Sequence, residues 1–271
     1  MISNFKTYEN PSIFHRWAAA QWRRPKDPSI YGATEVDMEP ALAFVDKIRE
    51  EWGVQVTVTH LVAKALAIAI ARHPRTNAKV RFWGKLEQRK TVDITVLIAG
   101  AGGRDLSAHR LVAADQMPLR QLATEVIAAG QLIRRDEDPE FERSKALMEK
   151  LPWWMMRPFL TLASLSMNEL YLDLSKLGLP ADLFGVGMVT SLGMHGVDEA
   201  YAPLTPIGRI MVDLLLTRVR PRPWVTEEGE LEIRRTLKIC ATFDHRVIDG
   251  IQAARLCQEL NSLLADPDSL R

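Results

Sequence analysis

One histidine of this 271-residue chain stands where acid–base chemistry is feasible. His245 follows residues 231–242, which predict a strand, and precedes Gly250, where a helix is predicted to begin. A connection between two rigid elements can present a side chain to a cleft, and an imidazole exchanges protons near neutral pH. His245 is therefore the candidate general base; the alternative is a histidine that only hydrogen-bonds to the backbone. Asp249 lies too far along an extended connection for an automatic contact with His245, but it can anchor the turn.

The two elements around His245 belong to an irregular alternation of helices and strands. Apolar spacing predicts helices at residues 15–22, 41–52, 59–73, 118–134 and 250–264, with Thr59 as the N-cap of the third. Strands are predicted at residues 31–38, 91–99, 186–190, 207–217 and 231–242. Because helices and strands do not alternate with the regular spacing of βαβ units, we expect an α+β fold with a mixed sheet.

Composition narrows the classes of function. Thirty-five basic and 34 acidic residues leave a formal charge of +1, so the basic footprint of a nucleic-acid-binding or anionic-membrane-binding protein is missing. Cys240 and Cys257 form no Cys-x-x-Cys pair, which gives no support for a disulfide framework or a metal site. With no signal-peptide pattern and no apolar run of about 18 residues, we expect a cytoplasmic protein.

Four segments, in order along the chain, resemble the E2 acyltransferases of 2-oxo acid dehydrogenase complexes. Residues 242–250, TFDHRVIDG, resemble the active-site signature of that family, and the same His-x-x-x-Asp-Gly core is similar to that of the chloramphenicol acetyltransferases. Residues 58–67 with the HPRTNA turn at 73–78, residues 92–96 and residues 190–198 are similar to three further family segments. The resemblance spans about residues 16–267 and implies a chloramphenicol acetyltransferase-like mixed β-sheet flanked by helices.

The resemblance implies a mechanism and its residues. His245 would take a proton from the thiol of coenzyme A (CoA) or of a dihydrolipoyl arm, so that the sulfur attacks an acyl thioester. Asp249 would pair with an arginine near the N-terminus, for which Arg16 is the candidate. A family serine that donates a hydrogen bond to the oxyanion is replaced by Thr190, with Ser191 beside it as the other candidate hydroxyl. The family also implies a homotrimer with its active site between neighbouring subunits.

The departures from the family leave the substrate open. We expect one catalytic domain over residues 1–271 without lipoyl or subunit-binding domains, so that a lipoyl group would arrive on another chain. An insertion at about residues 136–183, rich in aromatic and apolar residues, is expected to form a helical hairpin on its own domain or on a neighbouring subunit. A partner-binding or membrane-surface patch is the alternative interpretation of that insertion. Residues 100–111 also differ from the family near the region where relatives hold substrate.

Three functions follow from these observations. The first is acyl transfer between CoA and a thiol such as dihydrolipoamide, with acyl-CoA and a lipoyl-bearing protein or dehydrogenase-complex subunits as partners. The second is a small-molecule O- or N-acetyltransferase of the chloramphenicol acetyltransferase type. The third is a non-catalytic trimeric assembly protein, against which the intact His245, Asp249 and Gly250 argue.

Overall fold

The computed structural model describes residues 27–100, 106–135, 137–138, 142–143, 152–175, 182–226 and 228–271. Most of its strands join one sheet, and a separate two-stranded hairpin stands beside it. The strands are β1 (Ser29–Asp37), β2 (Ala78–Val80), β3 (Leu86–Gln88), β4 (Ile94–Ala99), β5 (Leu106–Leu111), β6 (Gly187–Ser191), β7 (Val212–Leu216), β8 (Arg220–Val225) and β9 (Leu231–Asp244). The helices are α1 (Glu39–Trp52), α2 (Val58–Arg72), α3 (Leu119–Arg134), α4 (Trp153–Glu169) and α5 (Gly250–Ala265).

The main sheet is mixed, which confirms the predicted α+β class. Its order is β1-β9-β7-β6-β4-β5; β6 runs parallel to β4 and β7, and the other pairs are antiparallel. β8 pairs with residues 231–236 of β9, and the pairing of β1 with β9 ends at residue 236. β8 and the first half of β9 therefore form a two-stranded ribbon that extends beyond the sheet and exposes Val225, Leu231 and Ile233.

The core lies between one face of the sheet and the helices, with α2 at its centre. α2 packs against α3, α5 and the strands β4 and β6, and most of its residues are buried. A helix that is apolar nearly all round is expected in such a position. The sheet contributes alternate residues of its central strands, among them Val189 of β6, Leu214 of β7 and Ala241 of β9.

The start of α2 corrects one prediction. Thr57, and not Thr59, is the N-cap: its backbone is extended, and its hydroxyl accepts a hydrogen bond from the backbone N–H of His60 at 3.5 Å. The backbone N–H of Thr57 in turn donates to Nδ1 of His60 at 3.2 Å, which completes a reciprocal cap. Burial lowers the pKa of His60 to about 4, so the ring is neutral and able to accept at physiological pH.

The predicted strand at residues 207–217 is shorter than expected, because its first residues form a turn. The backbone N–H groups of Gly208 and Arg209 both donate to the carbonyl oxygen of Thr205 at 3.2 Å, and Arg209 has a left-handed φ of 49°. The guanidinium of Arg209 donates to the carbonyl oxygen of Val80 at 3.0 Å. β7 therefore begins only at Val212.

Helix α4, inside the predicted insertion, packs on its own chain. Met167 and Ala163 form a small buried cluster with Ile207. The carboxylate of Glu169, at the end of the helix, accepts hydrogen bonds from Nε of Arg81 at 2.9 Å, from the backbone N–H of residue 82 at 2.7 Å and from Arg209. Burial raises the pKa of Glu169, but these hydrogen bonds outweigh it and hold the pKa below its usual range. The other arm of the predicted hairpin lies outside the described residues.

A buried lysine ties α2 to the loop before α3. The side chain of Lys64 is almost fully enclosed, and its Nζ donates to the carbonyl oxygens of Ala114 at 3.3 Å, Asp115 at 2.7 Å and Met117 at 2.7 Å. Burial lowers the pKa of Lys64, and the charge of Asp115 partly opposes that shift. Three carbonyl groups of the loop thus depend on one ammonium group.

Lys64→Met is expected to destabilise the protein by about 2–4 kcal/mol, because the three carbonyl groups lose their donor inside the core. Urea unfolding followed by circular dichroism measures the change. Lys85→Met, at an exposed lysine paired with Glu87, is the matched control and is expected to shift stability by less than about 1 kcal/mol. Equal unfolding midpoints for Lys64→Met and the parent would contradict the role of Lys64.

Candidate active site

His245 is the first residue after β9, and hydrogen bonds fix both its backbone and its ring. Its backbone N–H donates to the carbonyl oxygen of Pro28 at 2.9 Å. Nδ1 lies 3.0 Å from the carbonyl oxygen of Ile248. Because a carbonyl only accepts, Nδ1 must carry the proton, so in the neutral ring Nε2 has the unshared electron pair. The side chain is exposed, and Nε2 has no hydrogen-bond partner among the described residues.

The residues on either side of His245 hold the turn in place. Asp244 is buried, and its carboxylate accepts from Nε of Arg246 at 2.9 Å, from Nη2 at 2.5 Å and from the backbone N–H of Arg246 at 3.0 Å. The carbonyl oxygen of Asp244 accepts from the backbone N–H groups of Val247 at 3.1 Å and Ile248 at 2.9 Å. A bidentate arginine–carboxylate pair is geometrically specific, so it restricts the conformations of the residue between its members. This pair was not predicted from the sequence, although Asp244 and Arg246 directly flank the predicted base.

Asp249 anchors the turn as the N-cap of α5. Its carboxylate accepts from the backbone N–H of Gln252 at 2.8 Å, and its own backbone N–H donates to Oε1 of Gln252 at 3.0 Å. The cap uses Oδ1 of Asp249. Arg16, the arginine predicted to pair with Asp249, lies outside the described residues, so that ion pair stays a prediction.

Thr190 and Ser191, the two candidate oxyanion donors, end strand β6 and point to opposite faces of the sheet. Thr190 is half-buried and alternates with Val189, a core residue, so its side chain lies on the face away from the helices. Ser191 is exposed, and its Oγ accepts from the backbone N–H of Gly193 at 3.4 Å. Thr190 therefore has its hydroxyl on the face of the sheet opposite the core helices, whereas the hydroxyl of Ser191 lies on the other side, near a turn.

The strand register separates Thr190 from His245 within one chain. Thr190 pairs with Leu215 of β7, and Leu215 pairs with Cys240 of β9. His245 lies five residues beyond Cys240, which corresponds to about 17 Å along the strand, and β6 lies two strand spacings from β9. No pair of rotamers closes that separation to a shared reacting atom. One copy of the chain thus does not bring the predicted base and the predicted oxyanion donor together.

The face of the sheet opposite the core helices also holds a buried carboxyl group. Asp213 of β7 is buried, and its Oδ1 has no hydrogen-bond partner among the described residues. Its cross-strand neighbour Thr242 donates instead to the carbonyl oxygen of Ala202 at 2.7 Å. Burial raises the pKa of Asp213 to about 7. This group was not predicted from the sequence, because an aspartate inside an apolar run carries no local signal of its burial.

The described ranges contain no cluster of histidine, cysteine, aspartate and glutamate side chains that would hold a metal ion. Within the same part of the chain, no helix has the length and apolar character needed to cross a bilayer.

Comparison of the amino-acid sequence with known protein families identifies the family to which this chain belongs. Residues 21–138 and 180–271, more than three quarters of the chain, match the family described as 2-oxoacid dehydrogenases acyltransferase (catalytic domain). The chain belongs to this family. The unmatched residues 139–179 contain helix α4.

Individual relatives agree with the family and the fold. Dihydrolipoyllysine-residue acetyltransferase component 5 of the pyruvate dehydrogenase complex from Arabidopsis thaliana is 27% identical over 79% of this chain and 37% of its own length. The dihydrolipoamide acetyltransferase structure from Azotobacter vinelandii superposes with a TM-score of 0.66 at 22% identity, over 94% of this chain and 86% of the other. A chloramphenicol acetyltransferase structure gives a TM-score of 0.53 at 14% identity, over 88% and 89%. The chloramphenicol acetyltransferase-like fold is thereby confirmed.

The chain spans 37–45% of the length of the first three curated relatives that it matches. The similarity therefore concerns less than half of each of those proteins.

Asp213→Asn is expected to change how stability depends on pH. The pKa of Asp213 is about 7 in the folded protein and about 4 in the unfolded chain, so the folded state keeps a proton that the unfolded chain releases between those values. The free energy of unfolding of the parent therefore falls as pH rises from 4 to 7, by at most about 1.4 kcal/mol per pH unit from this group. The asparagine variant lacks this fall.

Urea unfolding of the parent and Asp213→Asn at pH 5 and pH 8 measures the difference. Asp46→Asn, at an exposed aspartate, is the control and should follow the parent at both pH values. If Asp213→Asn loses as much stability as the parent between pH 5 and pH 8, the unpaired carboxyl group does not titrate in this range.

Proposed function

We propose that this chain transfers an acyl group between CoA and the thiol of a dihydrolipoyl group, with Nε2 of His245 as the general base. The observation that carries the proposal is the hydrogen bond from Nδ1 of His245 to the carbonyl oxygen of Ile248. It selects the tautomer whose Nε2 accepts a proton, and the exposed ring gives a thiol access to that atom. Membership of the acyltransferase family supports the reaction class.

The proposed reaction needs one proton acceptor. Nε2 of His245 removes the proton of the incoming thiol, and the sulfur attacks the carbonyl carbon of the acyl thioester. The tetrahedral intermediate then collapses, and its carbon–sulfur bond to the first carrier breaks. The leaving thiolate takes the proton from the imidazolium, which returns the ring to its starting state. The Ile248 carbonyl oxygen stabilises the imidazolium because Nδ1–H already donates to it.

Thr190 is the proposed donor to the oxyanion, supplied by a second copy of the chain. The register places Thr190 too far from His245 in the same copy, and the family resemblance implies a trimer with its site between subunits, in which a neighbouring copy would supply Thr190. Asp249 and Arg16 are proposed to form an ion pair that stabilises the turn between β9 and α5. The histidine and asparagine whose catalytic role was investigated in the Azotobacter vinelandii enzyme are four positions apart, as are His245 and Asp249.

The partners follow from the same proposal. Acyl-CoA is one substrate, and the lipoyl group comes from another chain, as in a dehydrogenase complex of the kind to which the Arabidopsis relative belongs. A cytoplasmic setting belongs to the proposal, because the dihydrolipoyl thiol and the free Cys240 and Cys257 both call for a reducing compartment.

His245→Ala is expected to lower kcat by about 10²–10⁴-fold, because removal of a general base costs that much. The assay supplies acetyl-CoA and dihydrolipoamide and follows release of CoA thiol. His195→Ala replaces a second exposed histidine, whose ring has no hydrogen-bond partner in the described part of the chain, and should retain the parent rate. Full activity of His245→Ala would disprove the mechanism, and turnover only with hydroxyl or amine acceptors would favour the chloramphenicol acetyltransferase type.

Co-expression of two inactive variants tests whether the site is shared between copies. Thr190→Ala is expected to lower kcat by about 10²–10³-fold through loss of the oxyanion donor, and Thr190→Ser should retain most activity. In mixed oligomers of Thr190→Ala and His245→Ala chains, some interfaces combine an intact Thr190 with an intact His245. These oligomers should regain a measurable fraction of parent activity. Activity no higher than that of either variant alone would argue against a shared site.

A further inference from the structure

A pocket of about 270 Å³ lies between the C-terminal end of α2, the turn that follows it and the first turns of α5. Three arginines, Arg72, Arg75 and Arg255, line it together with His73 and Gln252. None of the arginines takes part in the reaction proposed above. The pocket nevertheless adjoins the reactive turn, because Gln252 also forms the cap with Asp249.

The charges around the pocket do not balance. Arg72 pairs with Glu259, which supplies one carboxylate against three guanidinium groups. Neither Arg75 nor Arg255 has an ion-pair partner among the residues that the structure describes. Three like charges around one cavity repel each other, and a bound anion would relieve that repulsion.

The backbone that carries Arg75 is held in place. The hydroxyl of Thr76 donates to the carbonyl oxygen of His73 at 2.7 Å, and Nε2 of Gln88 donates to the carbonyl oxygen of Pro74 at 3.1 Å. Arg255 is placed by the α5 helix, which begins at the Asp249 cap. Two of the arginines therefore project from fixed backbone, one from the turn after α2 and one from α5, and this arrangement lowers the ordering cost of binding.

We propose that this three-arginine pocket binds a phosphate group. Guanidinium groups present planar pairs of N–H donors that match phosphate oxygens, and several of them around one cavity suit a dianion or a diphosphate. The phosphate has two conceivable sources: a CoA thioester whose acyl end lies at His245, or a separate phosphate-bearing ligand.

The first source depends on the proposed function and is geometrically reasonable. Arg255 lies six residues along α5 from Asp249, which corresponds to about 9 Å along the helix axis. An extended pantetheine arm is longer than this distance, so a thioester at His245 has enough reach to bring its phosphates to the pocket. A separate ligand would occupy the pocket without contact to His245.

Direct binding tests the pocket independently of catalysis. Isothermal titration with inorganic pyrophosphate is carried out on the parent and on the double variant Arg75→Gln/Arg255→Gln. We expect binding to the parent and at least about tenfold weaker binding to the double variant, because each charge-assisted hydrogen bond contributes appreciably. Arg157→Gln, at an exposed arginine of α4, is the matched control and should bind as the parent does. Absence of binding to the parent, or equal binding to the double variant, overturns the proposal.

A kinetic comparison then identifies the source of the phosphate. Acetyl-CoA carries phosphates and S-acetylpantetheine does not. If the pocket binds the CoA phosphates, the double variant raises KM for acetyl-CoA about tenfold and leaves kcat and the KM for S-acetylpantetheine unchanged. If the double variant loses pyrophosphate binding but keeps the parent KM for acetyl-CoA, the pocket binds the phosphate of a separate ligand. No turnover of either thioester by the parent would overturn the proposed function, while the titration would still test the pocket.

Discussion

Pairing of β9 on both of its sides is the constraint on which the reactive turn depends. Over its second half, β9 is hydrogen-bonded to β1 and β7, and the ends of these neighbours also hold the residues that follow. The backbone N–H of Asp244 donates to the carbonyl oxygen of Met211 at 3.0 Å, and that of His245 donates to the carbonyl oxygen of Pro28. These hydrogen bonds to the sheet hold the backbone of His245 in one position, and α5 begins five residues later. The imidazole needs only one further hydrogen bond, to Ile248, to fix its tautomer.

The elements that the sequence predicted well are those whose signal is local. The strand before His245 and the helix that begins at Gly250 were predicted close to their observed bounds, because β-branched content and apolar spacing are properties of neighbouring residues. The N-cap of α2 was predicted two residues late, since two threonines compete and only backbone geometry with the His60 ring selects Thr57. β5 and β8 were not predicted as strands. Both lie at the margin of the sheet, and each pairs with a single strand.

The sequence named candidate residues for the site but could not give their geometry. His245 and Asp249 were identified from type and spacing, and the resemblance added Thr190. The distance between Thr190 and His245 depends on two successive strand registers, and no local pattern encodes such a register. The same applies to Asp213, whose raised pKa comes from the enclosure that the folded sheet and its covering loop create. Long-range pairing, rather than local propensity, decides which polar groups can act together.

The β8–β9 ribbon combines two features that usually conflict. It exposes Val225, Leu231 and Ile233, and beyond the end of β1 neither of its long edges has a neighbouring strand in the described part of the chain. Such an edge ordinarily invites a strand from another molecule. In β8, however, Pro221 and Pro223 stand two residues apart, opposite Arg235 and Ile233 of β9. Proline is tolerated in an edge strand where its missing N–H would face outward, so the outer edge of β8 lacks donors at two positions. The ribbon can therefore present apolar side chains to a partner, while its β8 edge resists the addition of a further strand.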